Sequence, residues 1–484
     1  MKKVTELMPR ELWGIFDSLT QIPRPSKHED AVANYIVDFA KKHELEAFRD
    51  KAGNVIIRKP ASEGMEDRRG IILQGHLDMV PQKNKDKKHD FITDPITTIV
   101  ENGIVRADGT TLGADDGIGV AAALAVMTDK SLVHGPLEAL LTIDEETGMT
   151  GANKLEPNML DGQILLNLDS EEEGEICIGC AGGLDVNAKF HYTPVETAEE
   201  DIALEVVIGG LRGGHSGIDI NMGRANANKL LVRFLKFAAA NYEAMLAKIN
   251  GGNMRNAIPR EASAVLTIDS EDREDFLEVI EEFEEMLRTE YADAEPDLSL
   301  TCREVERPAT VIDEMTADDV INAVQGCING VIRMSTSVND LVETSLNLAI
   351  INTNDDNTID VSFLLRSLVE SAKDDIASSV ESIFRLAGAE VEFSGAYPGW
   401  RPNADSEVLK TASLVYQRLF DKEPVIRAIH AGLECGIMGG VYPKWDMISF
   451  GPTIRHPHSP DENVDIASVE RFWTFLTELI RVVK

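Results

Sequence analysis

Leu112-Gly113-Ala114-Asp115-Asp116-Gly117 places two adjacent carboxylates in a glycine-flanked turn, just before an apolar run from Ile118 to Met127. A turn followed by such a run predicts a loop feeding a helix, and the side chains of neighbouring residues leave the turn in different directions. Asp115 is expected to face a pair of metal ions as their bridge. Asp116 is expected to turn into the start of the helix, where negative charge is favoured. A helix cap followed by an acidic residue would explain these six residues taken alone, but the residues around them point elsewhere.

Upstream, the short apolar run Ile71-Ile72-Leu73-Gln74 leads into Gly75-His76-Leu77-Asp78. A His and an Asp two apart at the end of a buried strand lie on one side of it. His76 can then ligate a metal while Asp78 bonds the other ring nitrogen and fixes its tautomer. Asn54-Val55-Ile56-Ile57 is a further short strand. Ser26-Lys27-His28-Glu29 reads as a capping box opening an amphipathic helix through about Lys42, with Val32, Tyr35, Ile36 and Phe39 at helical spacing. Ile96 to Val105, broken by Glu101-Asn102-Gly103, predicts a hairpin with an Asn-Gly turn.

Downstream, Leu137 to Ile143 ends in Asp144-Glu145-Glu146-Thr147-Gly148, and Gln163 to Leu168 stops at Asp169-Ser170-Glu171. Strands and helices that alternate, with polar chemistry at each strand's carboxyl end, form the pattern of an open α/β sheet whose site lies outside those ends. One acidic strand end is ordinarily a solvated loop. Four of them in one domain are not explained that way. Late in the chain, Ile448-Ser449-Phe450 runs into Gly451 to Pro460, which carries His456 and His458. The pair is expected on one more strand end, where both histidines have the same parity, so geometry does not choose between them.

From about Gly183 the pattern changes. Leu204 to Ile208, a helix near Arg224 to Leu246, a strand near Ala264 to Ile268, an acidic helix near Asp272 to Leu287 and a strand near Leu298 to Cys302 predict an α+β sandwich. Ser345 to Ile351 and Ile359 to Leu365 read as paired strands and Leu368 to Leu386 as a helix. The segment to about Ser394 thus reads as two similar halves, without a repeat of residue identity.

Composition limits the function. A chain of 484 residues is long for one domain, and its formal net charge of -36 repels phosphate backbones and anionic lipid surfaces. Nucleic acid and membrane are therefore poor partners. The opening MKKVTELMPRELW has no apolar signal core, and no stretch reaches the roughly 18 apolar residues of a spanning helix. Five cysteines, an odd number in a long chain, do not make a disulfide framework. These observations predict a soluble cytoplasmic protein. Cys177 and Cys180 form a CxxC with no second pair at zinc spacing, so they read as structural.

Two zinc ions about 3.5 Å apart need a bridging carboxylate and terminal ligands on each side. His76, Asp169 and the bridge Asp115 complete one set. Asp115, Glu146 and one histidine of the late pair complete the other. Glu145 is left over, and an unligated carboxylate beside the ions is what a general base for the attacking water would be. With no thiolate in the set, zinc fits, and cobalt or manganese would also be accepted.

The motifs GHLDMV, LGADDGIG, DEETGM, LDSEE and HSPDE together resemble the di-zinc aminopeptidase and carboxypeptidase-like hydrolases, and within them the cytosolic aminoacyl-histidine dipeptidases, or peptidase D group. GGLRGGHSG, the AGLECG stretch and DMISFGPTI carry the likeness to that group, which runs over nearly the whole chain. The resemblance implies a di-zinc peptidase catalytic domain with a central mixed sheet flanked by helices, from about 1–182 and 395–484, with an α+β lid inserted at 183–394. It implies His76, Asp115, Glu146, Asp169 and His458 as ligands, His458 being preferred to His456 because it heads the HSP motif. It also implies Asp78 orienting His76 and Glu145 as base.

In similar enzymes a lid histidine reaches the scissile carbonyl oxygen, here His215, with Asn256 near the same oxygen. Arg366 matches the clamp for a substrate carboxylate, and Glu434 is placed to receive the free amine. Where the superfamily usually has Asp-Asp-Lys, Gly117 stands at the lysine's place. The implied activity is hydrolysis of unblocked dipeptides, Xaa-His such as carnosine included, by a homodimer. A deacylase of N-acyl amino acids would share every ligand. A metal or peptide binder without catalysis would not need Glu145.

Overall fold

The computed structural model describes residues 3–336 and 338–484. Met1 and Lys2, which begin the stretch read for a signal core, lie outside the described residues. The chain divides into two compact units, one formed by Met1–Gly179, Trp400–Ala428 and Leu433–Lys484, the other by Cys180–Gly399 and Ile429–Gly432.

The first unit is built on an eight-stranded mixed sheet, ordered Glu46–Arg49, Val55–Lys59, Leu137–Thr142, Ile71–His76, Ile164–Asn167, Asp446–Ser449, Glu175–Cys180, Val425–Ile429. The four central strands run parallel. Their sequences, LEALLT, IILQGH and ILLN among them, are buried at every position. Strands covered on both faces read as continuous apolar runs rather than alternations, which is why these segments were legible as strands. After Ile71–His76 the chain crosses to Leu137–Thr142 on one side and then returns to Ile164–Asn167 on the other. That reversal opens a crevice outside the carboxyl ends of the three strands.

The helix Ala114–Thr128 fills the first crossover. All its residues but Thr128 are buried, including the run from Ile118 to Met127, as expected for a helix with no polar face. It packs with the helices Arg10–Thr20 and Ile466–Val482 around one core. The hairpin at Asn102-Gly103 is present: Thr98–Glu101 pairs with Ile104–Ala107, and both turn residues have positive φ. The capping box is not formed. The helix Asp30–Lys42 starts later, with Glu29 as its N-cap residue and no side-chain cap. Ser26 and Glu29 are instead drawn into the site below.

The second unit is one antiparallel sheet, ordered Ser299–Val305, Asp201–Gly209, Ala262–Asp269, Met245–Gly251, Val342–Thr353, Thr358–Ser367, Gly182–His191, Glu390–Tyr397, with Gly330–Met334 beside Val342–Thr353. Taken in chain order, the four strands starting at Asp201 stand fourth, first, third, second across the sheet. The four starting at Gly182 give that order when counted in from the opposite edge, and each series carries two helices, Ala227–Tyr242 and Arg273–Glu290 in one, Glu314–Gly326 and Glu370–Leu386 in the other. The series meet where Asn250 faces Asn352 and Gly251 faces Ile351. The helix read as running to Leu246 ends at Tyr242, because Glu243 adopts a left-handed conformation and Met245–Gly251 becomes a strand. The strands Gly182–His191 and Met245–Gly251 and the helix Glu314–Gly326 were not anticipated.

Candidate metal centre

His76 ends its strand buried, 1% exposed. Its Nε2 lies 3.0 Å from Asp115 Oδ1 and 3.3 Å from Asp169 Oδ1. On the other side of Asp115, His458 Nε2 lies 3.2 Å from Oδ2 and 3.0 Å from Glu146 Oε2. The two oxygens of Asp115 thus face two different histidines. Asp116 turns away as expected: its Oδ1 accepts from Gly119 N at 3.1 Å, at the start of the helix. The peptide between the two aspartates is cis.

The late histidines are not on an extended strand. They sit in the loop between the short strands Ile454–Arg455 and Asn463–Asp465, each with positive φ. The loop brings His458 to the acidic ring.

Asp78 touches both His76 and the acidic loop. The ring Nδ1 lies 3.1 Å from the Asp78 carbonyl oxygen and 3.5 Å from its Oδ1. The carboxylate also accepts from Glu145 N at 3.0 Å, Glu146 N at 3.2 Å and Ser26 Oγ at 2.8 Å. Burial opposes its charge, but His76 and these donors hold Asp78 down at about 2. Glu29 Oε1 accepts from Asp144 N at 3.0 Å. The supposed capping residues therefore brace the loop that carries Glu145 and Glu146.

This donor set fits a pair of divalent ions. Ligand atoms for His76, Asp115 and Asp169, and for Asp115, Glu146 and His458, each lie within 4.8 Å of one another. Atoms bound tetrahedrally at zinc distances stand about 3.3 Å apart, close to the spacings above. Glu146 Oε1 is buried without a hydrogen-bond partner among the described residues. Carboxylate crowding leaves unmet demand for positive charge. Burial, with Asp115 and Glu146 adding to it, pushes Asp169 up to about 7, and hydrogen bonds to Asp115 and Glu146 push His458 up to about 11. Glu145 is also raised well above the ordinary range, by burial first and by Asp169, Glu434 and Glu146 among its neighbours.

Glu434 is 2% exposed at the start of the helix Glu434–Val441. Its Oε2 accepts from Gln74 Nε2 and Thr142 Oγ1, both at 2.7 Å. Gln74 is held in turn by Asn167, and Asn167 by Ser449. Oε1 is buried and has no hydrogen-bond partner among the described residues. Burial pushes this carboxyl up to about 7.

The remaining three expected residues lie in the second unit. The strand pair Gly214–His215 with Ala257–Ile258, and a bond from Ser216 N to Asn256 O at 2.8 Å, bring Asn256 beside His215. His215 Nδ1 accepts from Gly217 N at 3.1 Å and Ile218 N at 3.0 Å. Its proton is therefore on Nε2, which leaves that nitrogen a donor. Arg366 is 4% exposed, and its Nη1 donates to Tyr397 OH at 2.9 Å while Nε has no partner among the described residues. A Cβ on Gly217 would stand 3.0 Å from His215 Cε1 and 3.2 Å from Arg366 Nε, so the two side chains share one cradle. His430 Nε2, 2.7 Å from Ser345 Oγ, adjoins it. Tyr397 and His430 carried no motif to mark them.

An open mixed sheet with a ring of histidines and carboxylates at its carboxyl edge, and one further glutamate beside the ring, is the layout of a metal-dependent hydrolase. The sequence model of peptidase family M20/M25/M40 matches residues 72–482, and the chain belongs to that family. It is 47% identical, over 99% of both chains, to the cytosol non-specific dipeptidase of Escherichia coli K12. The crystal structure of aminoacylhistidine dipeptidase from Vibrio alginolyticus matches all of this chain and 98% of its own, at 46% identity and a TM-score of 0.93. Aminopeptidase PepT of Bacillus cereus, at 15% identity and a TM-score of 0.58, shares the fold. Among the described residues no helix is long and apolar enough to cross a membrane.

Proposed function

We propose that the chain is a dinuclear metallodipeptidase that cleaves unblocked dipeptides in the cytosol, Xaa-His dipeptides among them. The observation that carries the reading is Asp115, whose two oxygens each face a different histidine within two separate donor sets. The full-length relatives at 46% and 47% identity are both named as dipeptidases, which favours this substrate class over N-acyl amino acids.

His76, Asp115 and Asp169 would hold one ion and Asp115, Glu146 and His458 the other, with zinc suited to the donors and cobalt or manganese able to replace it. When bound, the ions supply Lewis acidity, which makes water acidic and polarises a carbonyl. Glu145 takes the proton of the attacking water and returns it to the leaving amide nitrogen. Asp78 holds both the His76 ring and the backbone of the acidic pair. His215 Nε2–H donates to the carbonyl oxygen as it gains charge, with Asn256 beside it. Arg366 receives the substrate carboxylate through its fork of N–H donors. The free amine meets Glu434, where it pairs the unpartnered oxygen.

The test is hydrolysis of a panel: Xaa-His and other dipeptides, their C-terminal amides, tripeptides and N-acyl amino acids, with and without added zinc. Zinc-dependent cleavage of the free dipeptides above all others is expected. Preference for the N-acylated set would move the chain to the deacylases.

A further inference from the structure

A buried charge is stable only with a counter-charge or a full set of hydrogen bonds. Two buried charges in the first unit bond to main-chain groups, and the mechanism above uses neither. Arg24 and Glu462 are each 2% exposed. Glu462 Oε2 accepts from Leu112 N at 2.7 Å and Gly113 N at 3.0 Å, and its Oε1 from Ala114 N at 2.7 Å and Asp115 N at 3.3 Å. Four successive amides converge on one carboxylate. Such a backbone concavity is an anion receptor, and here the chain fills it with its own side chain.

Arg24 works on the opposite groups. Its Nη1 donates to Leu77 O at 2.8 Å and Asp78 O at 2.9 Å, and its Nη2 to Gly113 O at 2.5 Å. The planar guanidinium therefore ties the end of the His76 strand to the turn that carries Asp115. Room for it is made by two glycines: a Cβ would stand 2.7 Å from Nη2 at Gly113 and 2.6 Å from Nη2 at Gly117. Gly113 also needs its positive φ of 69°.

We propose that Arg24 and Glu462 are a pair of positioning residues for the metal centre. Glu462 shapes the turn so that the Asp115 carboxylate projects between the histidines, and Arg24 sets the distance from that turn to His76. The inference rests on the dinuclear reading above. A pair that served the fold alone would lower stability when altered, yet leave the folded protein's ion binding as it was.

The variants Glu462→Gln and Arg24→Lys separate these roles. The first turns an amide NH2 toward two backbone donors. The second keeps the charge, but one nitrogen cannot span the Leu77 and Gly113 carbonyls as two do. The full-length protein, stripped with a chelator, is titrated with cobalt(II) against a competing chelator. The cobalt absorption spectrum, thermal unfolding, and kcat and KM of the zinc-loaded protein on a dipeptide are recorded alongside. Each variant is expected to unfold cooperatively, to bind cobalt about 10 to 100 times more weakly, to show an altered spectrum and to lose kcat by a similar factor with KM within about twofold. Wild-type cobalt affinity and spectrum in either folded variant would overturn the proposal, whatever its melting temperature. If one variant does not fold, the other decides by the same readings, and failure of both to fold would make the pair a folding requirement and overturn the positioning role. Wild-type protein that takes up fewer than two cobalt ions would refute the dinuclear reading instead, before any variant is made.

Discussion

The site clusters of the two units differ in charge. In the first, carboxylates crowd two histidines: burial, with neighbouring acids adding to it, pushes Asp169 up to about 7, and hydrogen bonds to Asp115 and Glu146 push His458 up to about 11. In the second, Arg366 is buried beside two histidines that burial and its own charge keep neutral, His430 being pushed down to about 3. One cluster calls for cations and the other for an anion. Under the proposed function the ions and the general base would belong with the first cluster, and the carbonyl and carboxylate contacts with the second.

Substitutions in the two clusters should fail in different ways. The largest effect is expected for Asp115→Ala, which removes the residue common to both donor sets. It should lose both ions by metal analysis and activity to the detection limit, and retention of one tightly held ion would show that Asp115 is not shared. Next comes His215→Ala, expected to lower kcat about a hundredfold or more while KM changes little, because the bond strengthens as charge develops on the oxygen. Metal content should stay at the wild-type value. A rise in KM alone would make His215 a ground-state contact. Arg366→Ala should narrow the preference for a dipeptide over its amide, a gap expected to be about a hundredfold in the wild type. An unchanged gap would remove the carboxylate role.

The smallest effect is a pH dependence confined to the second cluster. His430 unfolds to a pKa near 6.5 but sits near 3 when folded. The unfolded chain binds the extra proton, so the stabilisation is complete above about pH 6.5 and is lost as pH falls toward 3. At pH 5 the loss reaches about 2 kcal/mol. His430→Asn should flatten that part of the stability curve by thermal unfolding between pH 7 and 5, and an unaltered slope would contradict the buried neutral imidazole.

Sequence and structure agree best where chemistry and geometry coincide on a short stretch. The parallel strands were legible as apolar runs because both of their faces are covered, and His76, Glu146 and Asp169 could be grouped because each closes or follows such a run, while Asp115 stands just before the apolar helix. What failed was local pattern overruled by the site. Ser26 and Glu29 have capping-box spacing, yet bonds to Asp78 and to Asp144 N hold them. His456 and His458 share one strand parity, so parity could not separate them, and in the structure neither lies on a strand. Arg24, between two prolines, carried no signal in the sequence, and its counterpart Glu462 stood only as the last residue of the HSPDE motif rather than as the acceptor of four amides. Gly117, at the position the resemblance gives to lysine, makes sense only once Arg24 is seen beside it. The second unit's repeat lies in strand order, which residue identity does not record.

The division of labour between Glu145 and Glu146 is the most exposed part of the account, and zinc stoichiometry measured alongside turnover tests it most directly. Glu145→Gln should keep two zinc ions per chain and lose at least about a hundredfold in kcat, the size of a lost general base, whereas Glu146→Ala should lose zinc together with activity. Loss of zinc from Glu145→Gln, or full zinc in Glu146→Ala, would contradict the assignment of base and ligand.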